Sequence, residues 1–241
     1  GIMPASFNPN VRINSAPSNF AMVSNARQAS TTGSSKAGNS VAFQTQGGLQ
    51  LSKYWSLEMG VSYLRGNSKY EGGGYILDAI SVKSSNVLES AVMGLANKNQ
   101  AIYQPQYDNM SYNSMYINVN TTVNNNYQFV QLPVQAGFTL NSEKKLSYSL
   151  LGGVMANFFL SNEIESSSRQ TVTTTASDDV YKTNNWAATT GLRFNYRVSS
   201  KWKATLSGTY QKALSSGFKD NQSMESHPYL YGVSWGMRYS F

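Results

Sequence analysis

The chain has 241 residues, only 13% of them charged, and a net charge of +7. No stretch approaches the ~20 consecutive apolar residues of a transmembrane helix, which excludes a helical membrane protein but not a β-barrel, where every second residue faces lipid. With no cysteine, a disulfide framework, a thiol nucleophile and a thiolate metal site are excluded as well.

Eight segments alternate with a period of two, the mark of a strand with one apolar and one polar face. The first, near residues 2–14, sets Met3, Ala5, Phe7, Pro9, Val11 and Ile13 against Ser6, Asn8, Asn10 and Arg12. Pro9 removes a ladder donor and predicts a strand end, bulge or irregular pairing there. The second, 41–52, sets Val41, Phe43, Leu49 and Leu51 against Gln44, Gln46 and Gln50. The third, 54–65, sets Trp55, Leu57, Met59, Val61 and Tyr63 against Ser56, Glu58, Gly60 and Ser62. The fourth, 127–140, sets Val130, Leu132, Val134, Ala136, Phe138 and Leu140 against Gln131, Gln135 and Thr139. The fifth, 146–160, is less clean, because Leu151, Met155 and Phe159 fall on the nominally polar face. The sixth, 185–198, sets Trp186, Leu192, Phe194, Tyr196 and Val198 against Thr189, Arg193, Asn195 and Arg197. The seventh, 202–214, sets Trp202, Leu206 and Tyr210 against Lys203, Thr205, Ser207, Thr209 and Gln211. The eighth, 229–241, sets Tyr229, Tyr231, Val233, Trp235, Met237, Tyr239 and Phe241 against Gly232, Ser234, Gly236, Arg238 and Ser240.

The connections alternate in length. Lys53 with Tyr54, Asn141 to Lys145 and Ser199 to Lys201 are tight, whereas 15–40, 66–126, 161–185 and 215–227 are long and polar. The pattern predicts an all-β fold: one domain over 1–241, an eight-stranded antiparallel up-and-down transmembrane β-barrel. Its short turns and both termini are expected in the periplasm and its long loops outside the cell. A soluble barrel of lipocalin type would place the apolar faces inside. Three features oppose that. The polar faces are built of Gly, Ser, Thr and Gln that suit a narrow lumen. The apolar faces carry almost no charge between their ends. Aromatics gather near strand ends, with Trp55, Trp202, Tyr196 and Tyr239 at one and Tyr63, Trp186, Tyr210 and Tyr229 at the other, as in the girdles of membrane barrels.

The last strand resembles the C-terminal insertion signal of bacterial outer-membrane barrels, a polar residue, a glycine and two apolar residues at spacing two: Ser234, Gly236, Tyr239 and Phe241. The segment order also resembles the PorT-like outer-membrane β-barrel proteins of Bacteroidota. "LSKYWSLEMGVSYLRG" is similar to their second-to-third strand hairpin, "YQFVQLPVQAGFTL" to their next strand, and "LLGGVMANFFLSNEIE" to the glycine-bearing strand after it. The resemblance covers most strands and none of the long loops. It implies a Gram-negative outer membrane, surrounding lipid and lipopolysaccharide, and insertion by the barrel-assembly machinery. The family is functionally mixed, so the resemblance implies a compartment more than a task. No secretory leader is visible at the start, so the chain reads as a mature form or the barrel part of a longer protein.

Lys and Arg are scattered, so nucleic acid is not an expected partner; lipopolysaccharide phosphates are the simpler match for the positive charge. The inner face carries Glu58, Arg193, Arg197, Lys203 and Arg238, with Arg12 also assigned there. Unpaired buried charge is costly. A polar plug centred on Glu58 and flanked by the Gln side chains of the second and fourth strands is expected, with a gated proton or ion path as the rival reading. His227, the lone histidine, follows Glu225 and Ser226. Three consecutive residues cannot form a Ser–His–acid relay among themselves, so no catalytic residue is assigned. Asp178–Asp179 does not resemble a Ca²⁺ loop, and neither a metal nor a cofactor is expected. In the long loop, Val87, Leu88, Ala91, Val92 and Leu95 share a helical face, predicting a helix over 86–97. Tyr103, Tyr107, Met110, Tyr112, Met115 and Tyr116 lie among Asn, Gln and Ser, the composition of adaptable binding loops. They form either a cap or a docking surface. The functional expectation is a non-enzymatic scaffold or accessory subunit that docks other envelope proteins. The alternatives are a lipid A-modifying enzyme using His227 and a small-solute pore.

Overall fold

The computed structural model describes residues 1–13, 33–72, 74–77, 82–86, 88, 92, 115–117, 122–165, 171–219 and 224–240. Its strands are β1 (Ile2–Asn8), β2 (Val11–Ile13), β3 (Ser34–Gln50), β4 (Trp55–Glu71), β5 (Gly74–Leu77), β6 (Val82–Ser85) and β7 (Met115–Ile117). They continue as β8 (Thr122–Leu140), β9 (Leu146–Glu165), β10 (Thr171–Thr175), β11 (Asn184–Arg197), β12 (Trp202–Ala213), β13 (Met224–Ser226) and β14 (Tyr229–Tyr239).

Eight of these close into a ring. β1 pairs with β3, β3 with β4, β4 with β8, β8 with β9, β9 with β11, β11 with β12, β12 with β14, and β14 returns to β1, every pair antiparallel. Closure leaves no free edge around the ring. At the long-loop end β10 continues the wall as a hairpin partner of β9. Two small sheets, β2 with β13 and β6–β5–β7, complete the strand pairings among the described residues.

The short-turn end is built from repeated local chemistry. Ser52 Oγ accepts from the Tyr54 and Trp55 amides, and Ser199 Oγ accepts from the Lys201 and Trp202 amides. Asn141 opens the remaining turn at φ +55°, a left-handed conformation that asparagine tolerates.

The middle of the outer wall is apolar. Trp55 (51% exposed), Leu192 (56%), Trp235 (52%) and Met237 (60%) stand out from it with Leu57, Met59, Val61, Leu132, Val134, Leu206 and Val233. A continuous apolar band of this extent is not stable against water. Aromatic rings bound it. Trp55 to Tyr63, Trp202 to Tyr210 and Tyr239 to Tyr231 are each eight residues apart. At ~3.3 Å per residue and a tilt of 35–45°, that is about 20 Å of height, close to the hydrocarbon band of a membrane barrel. At the short-turn border Trp55 packs on Phe138, Tyr148 on Phe194 and Trp202 on Tyr239. Lys53, Lys145 and Lys201 lie over the rings of Tyr54, Tyr196 and Tyr239.

The structure departs from the sequence expectation at several strand ends. The second, third and fifth segments run further, from Ser34, to Glu71 and to Glu165, and the fourth starts at Thr122. The outer face of these extensions is solvated and polar, so hydropathy alternation fades. Only the inward residues still alternate: Ser68 and Tyr70 on β4, Val123, Asn125 and Tyr127 on β8, Asn162 and Ile164 on β9. The first segment breaks at Pro9 and Asn10 (φ +47°), and Val11–Ile13 pairs with β13 instead of a ring neighbour. Of the helix expected over 86–97, the described Leu88 and Val92 are helical and buried.

A larger correction concerns the first segment's faces. Met3, Phe7, Val11 and Ile13 point inward and are buried, whereas Ile2 is exposed on the outer wall. Arg12 is exposed and pairs in register with Glu225; it is not a lumen residue. The reason is a second, apolar interior. Above the polar lumen, Phe7, Tyr127, Phe129, Phe159, Tyr181 and Phe218 form a connected aromatic layer with ring centroids 4.5–6.2 Å apart. β1 supplies Phe7 to it.

Gly66 makes the close approach to that layer possible. A Cβ there would lie 2.7 Å from Phe7 Cδ1 and 2.9 Å from Cγ. Phe7 is held between Tyr127 and Phe129, so Gly66→Ala is expected to cost about 1–3 kcal/mol by overpacking. The check is the urea midpoint of the detergent-refolded barrel; an unchanged midpoint would show that Phe7 is free to move.

Candidate functional site

The lumen is organised around one carboxylate. Period-2 parity on β4 sends Ser56, Glu58 and Ser62 inward, and all three are buried. The same parity sends Arg193 in from β11 and Arg238 from β14. Arg193 Nη1 donates to Glu58 Oε1 at 2.9 Å and Oε2 at 2.8 Å. Arg238 Nη2 donates to Oε1 at 2.7 Å, and Ser56 Oγ donates to the same oxygen at 3.3 Å. Arg193 is completed by Gln46 Oε1 on Nη2 and Ser207 Oγ on Nε, both at 3.3 Å. Around the ring β11 and β14 each lie three strands from β4, in opposite directions. The ion pairs therefore cross the lumen instead of running along one wall.

Towards the long-loop end an amide layer follows. Gln135 Nε2 donates to Thr189 Oγ1 at 3.1 Å. Gln131 Nε2 donates to Asn157 Oδ1 at 2.8 Å and to Gln211 Oε1 at 3.4 Å, and Asn157 Nδ2 donates to Asn185 Oδ1 at 3.0 Å. A small cavity lies between this layer and the aromatics, lined by Phe7, Leu64, Phe129, Gln131, Asn157 and Asn185 among others. The aromatic layer closes the lumen above it. Asn162 Nδ2 donates to the Tyr181 hydroxyl at 2.9 Å.

The sequence-assigned residues divide. Glu58, Arg193 and Arg238 meet. Arg197 is drawn to the short-turn rim, where Nη2 donates to the Ser142 carbonyl at 2.9 Å. Lys203 is half-buried and forms no ion pair among the described residues. Ser234 and Gly236 face the lumen, and Tyr239 faces outward against Trp202. Phe241, Tyr103, Tyr107, Met110 and Tyr112 lie outside the described residues. Met115 and Tyr116 are placed on β7 by backbone alone. Sequence reasoning missed the aromatic layer and the Asn157 and Asn185 amides, and it placed Gln211 on the polar face without joining it to the plug. The signal for the first was present in Leu151, Met155 and Phe159, which break the fifth segment's pattern because they point inward.

Two rejected constellations have definite geometry. Ser226 Oγ donates to the Pro9 carbonyl at 2.6 Å, inside, while Glu225 is exposed on the opposite face. With His227, these residues form no proton relay. Asp178 Oδ2 accepts from the Thr175 amide and hydroxyl, and Asp179 pairs with Lys219. No cluster of three potential metal ligands occurs among the described residues.

A closed antiparallel ring of eight strands, apolar outside across a bilayer's thickness and polar within, defines an integral membrane β-barrel of the outer-membrane class. No protein-family model and no curated protein matches the sequence. Among solved structures, the chain is similar to the outer membrane protein OprG from Pseudomonas aeruginosa, with 10% identity over all of this chain and 94% of that one, at a TM-score of 0.45. It is similar also to the outer membrane protease OmpT from Escherichia coli, with 8% identity over 100% and 94% of the two chains, at 0.44. A third is Ail, the attachment invasion locus protein of Yersinia pestis, with 8% identity over 98% and 97%, at 0.30. The class rests on the ring and the belt of this chain.

Glu58→Ala would leave Arg193 buried opposite no charge, at a cost of about 3–5 kcal/mol. The expected result is a lowered unfolding midpoint, partly restored in the double variant Glu58→Ala, Arg193→Ala. Equal loss in single and double variants would contradict coupling across the lumen. Beyond the belt, burial pushes the Tyr70 and Tyr181 hydroxyls up to about 12. A phenol raised in the folded state stabilises fully below the ordinary value of 10.0 and loses that contribution as pH climbs towards the folded value. Tyrosinate absorbance is therefore expected to show a late step accompanied by loss of structure at the long-loop end. Titration of every tyrosine near the ordinary value with structure retained would refute it.

Proposed function

We propose that the protein is a non-enzymatic outer-membrane barrel that acts as a scaffold or accessory subunit for other envelope proteins. In this reading the short-turn end faces the periplasm and the long-loop end faces outward. One observation carries the reading: the lumen is blocked twice, by the Glu58–Arg193–Arg238 crossing and by the aromatic layer above the amides. An eight-stranded ring is just wide enough for side chains, and here they fill it. What the fold offers beyond membrane anchoring is its wall.

That wall extends past the lipid belt at the long-loop end. β4, β8 and β9 continue there with Asn67, Lys69, Glu71, Asn124, Asn126, Glu163 and Glu165. Tyr70, Leu88, Val92, Val123 and Ile164 form a buried core inside the extension. A polar projection with its own core suits docking better than catalysis. Purification from native membranes in mild detergent after cross-linking is the test. Co-purification with a stoichiometric envelope protein is expected, together with silence in planar bilayers. A lone monomer, or stable conductance through the purified barrel, would overturn the reading.

A further inference from the structure

The Glu58 crossing leaves positive charge over at the short-turn mouth. Arg197, Lys203 and Arg238 are consecutive cross-strand neighbours: Arg197 is in register with Lys203, and Lys203 with Arg238. All three share inward parity and are half-buried. Neighbouring strands stand ~4.8 Å apart, so the row spans about 10 Å and each charge lies within a Debye length, ~8 Å at physiological salt, of the next. Like charges directly opposite one another destabilise a sheet, and three in a row need a counter-charge.

Among the described residues that counter-charge is incomplete. Glu58 is the carboxylate buried at this end among the described residues, and its oxygens already accept from Arg193, Arg238 and Ser56. Glu143 pairs with Lys53 on the outer turn and is close enough to Arg197 to feel its charge, but its own hydrogen bond goes to Lys53. Among the described residues, Nη2 alone forms hydrogen bonds on Arg238 and on Arg197, and Lys203 Nζ forms none. Unused guanidinium N–H groups and an ammonium thus converge on one mouth. Guanidinium forks match tetrahedral oxyanions, and lysine adds a point charge.

We propose that the row Arg197–Lys203–Arg238 is a binding site for a phosphate group at the short-turn mouth of the barrel. The group is either free phosphate or pyrophosphate, or the phosphate of an anionic lipid reaching over the rim. The row stands at the height of Trp202 and Tyr239, which border the lipid belt, so both sources have access.

Calorimetric titration of the detergent-solubilised barrel with pyrophosphate tests the first source. Native mass spectrometry from nanodiscs, scoring retention of phosphatidylglycerol over phosphatidylethanolamine, tests the second. Lys203→Gln and Arg197→Gln leave the Glu58 ion pairs in place. Each is expected to weaken pyrophosphate binding at least tenfold, or to abolish the preference for phosphatidylglycerol, while Lys203→Arg retains it. Unheated gel mobility confirms that each variant is folded. Pyrophosphate binding lost in Lys203→Gln supports the site with a soluble ligand. Lipid preference alone, lost in the same variant, supports it with a lipid ligand. Absence of both, or binding unchanged in both Gln variants, overturns it. Binding of an oligo-aspartate peptide without pyrophosphate or phosphatidylglycerol also overturns the phosphate assignment.

Discussion

A ring of eight strands encloses a lumen that only side chains can fill, and Glu58 decides how this one is filled. Its carboxylate lies 3% exposed with guanidinium groups reaching it from two distant strands. A single unpaired charge at that depth would oppose folding, so Arg193, Arg238, Gln46, Ser56 and Ser207 are fixed by its presence. The amides above it, from Gln135 to Gln211, extend the same hydrogen-bonded filling. Where the amides end, the aromatic layer begins and the interior becomes that of an ordinary soluble core.

The two interiors answer to different surroundings. Level with the lipid belt, the outside is apolar and the inside can be polar, because lipid rewards the outer residues. Beyond the belt the outer residues meet water, and the inner ones must supply the hydrophobic burial themselves. Phe7, Tyr127, Phe129, Phe159, Tyr181 and Phe218 mark this reversal, and Tyr70, Val123 and Ile164 continue it. One continuous set of strands thus carries an inside-out barrel and a conventional one.

That reversal also explains what could be read in the sequence. The belt was legible because lipid on one side and polar lumen on the other give clean alternation, as in Trp55 to Tyr63 and Tyr229 to Tyr239. Glu58, Arg193 and Arg238 were legible because a charge on the polar face of a lipid-facing strand has nowhere else to go. The extensions of β4, β8 and β9 were not, since Asn, Ser and Lys occupy their outer face and mimic a loop. The first segment misled for the same reason. Met3, Ala5 and Phe7 form an apolar face that looks lipid-directed, yet they belong to the inner layer. Hydropathy reports that a face is apolar; it does not report whether lipid or a neighbouring ring makes it so.

The Glu58 crossing also ties together distant parts of the chain. Its partners stand far along the sequence, Arg193 135 residues on and Arg238 180. Arg238 lies on β14, the strand that closes the ring against β1. Without β14 in place Glu58 would be held from one side, and the sheet would keep an edge open. The register of β14 and the neutralisation of the lumen are therefore coupled. A slip by one residue would turn Arg238 towards the hydrocarbon and Met237 or Tyr239 towards the carboxylate. The same slip would carry Val233 and Trp235 into the lumen, so the apolar belt and the buried charge reject a misaligned closure together.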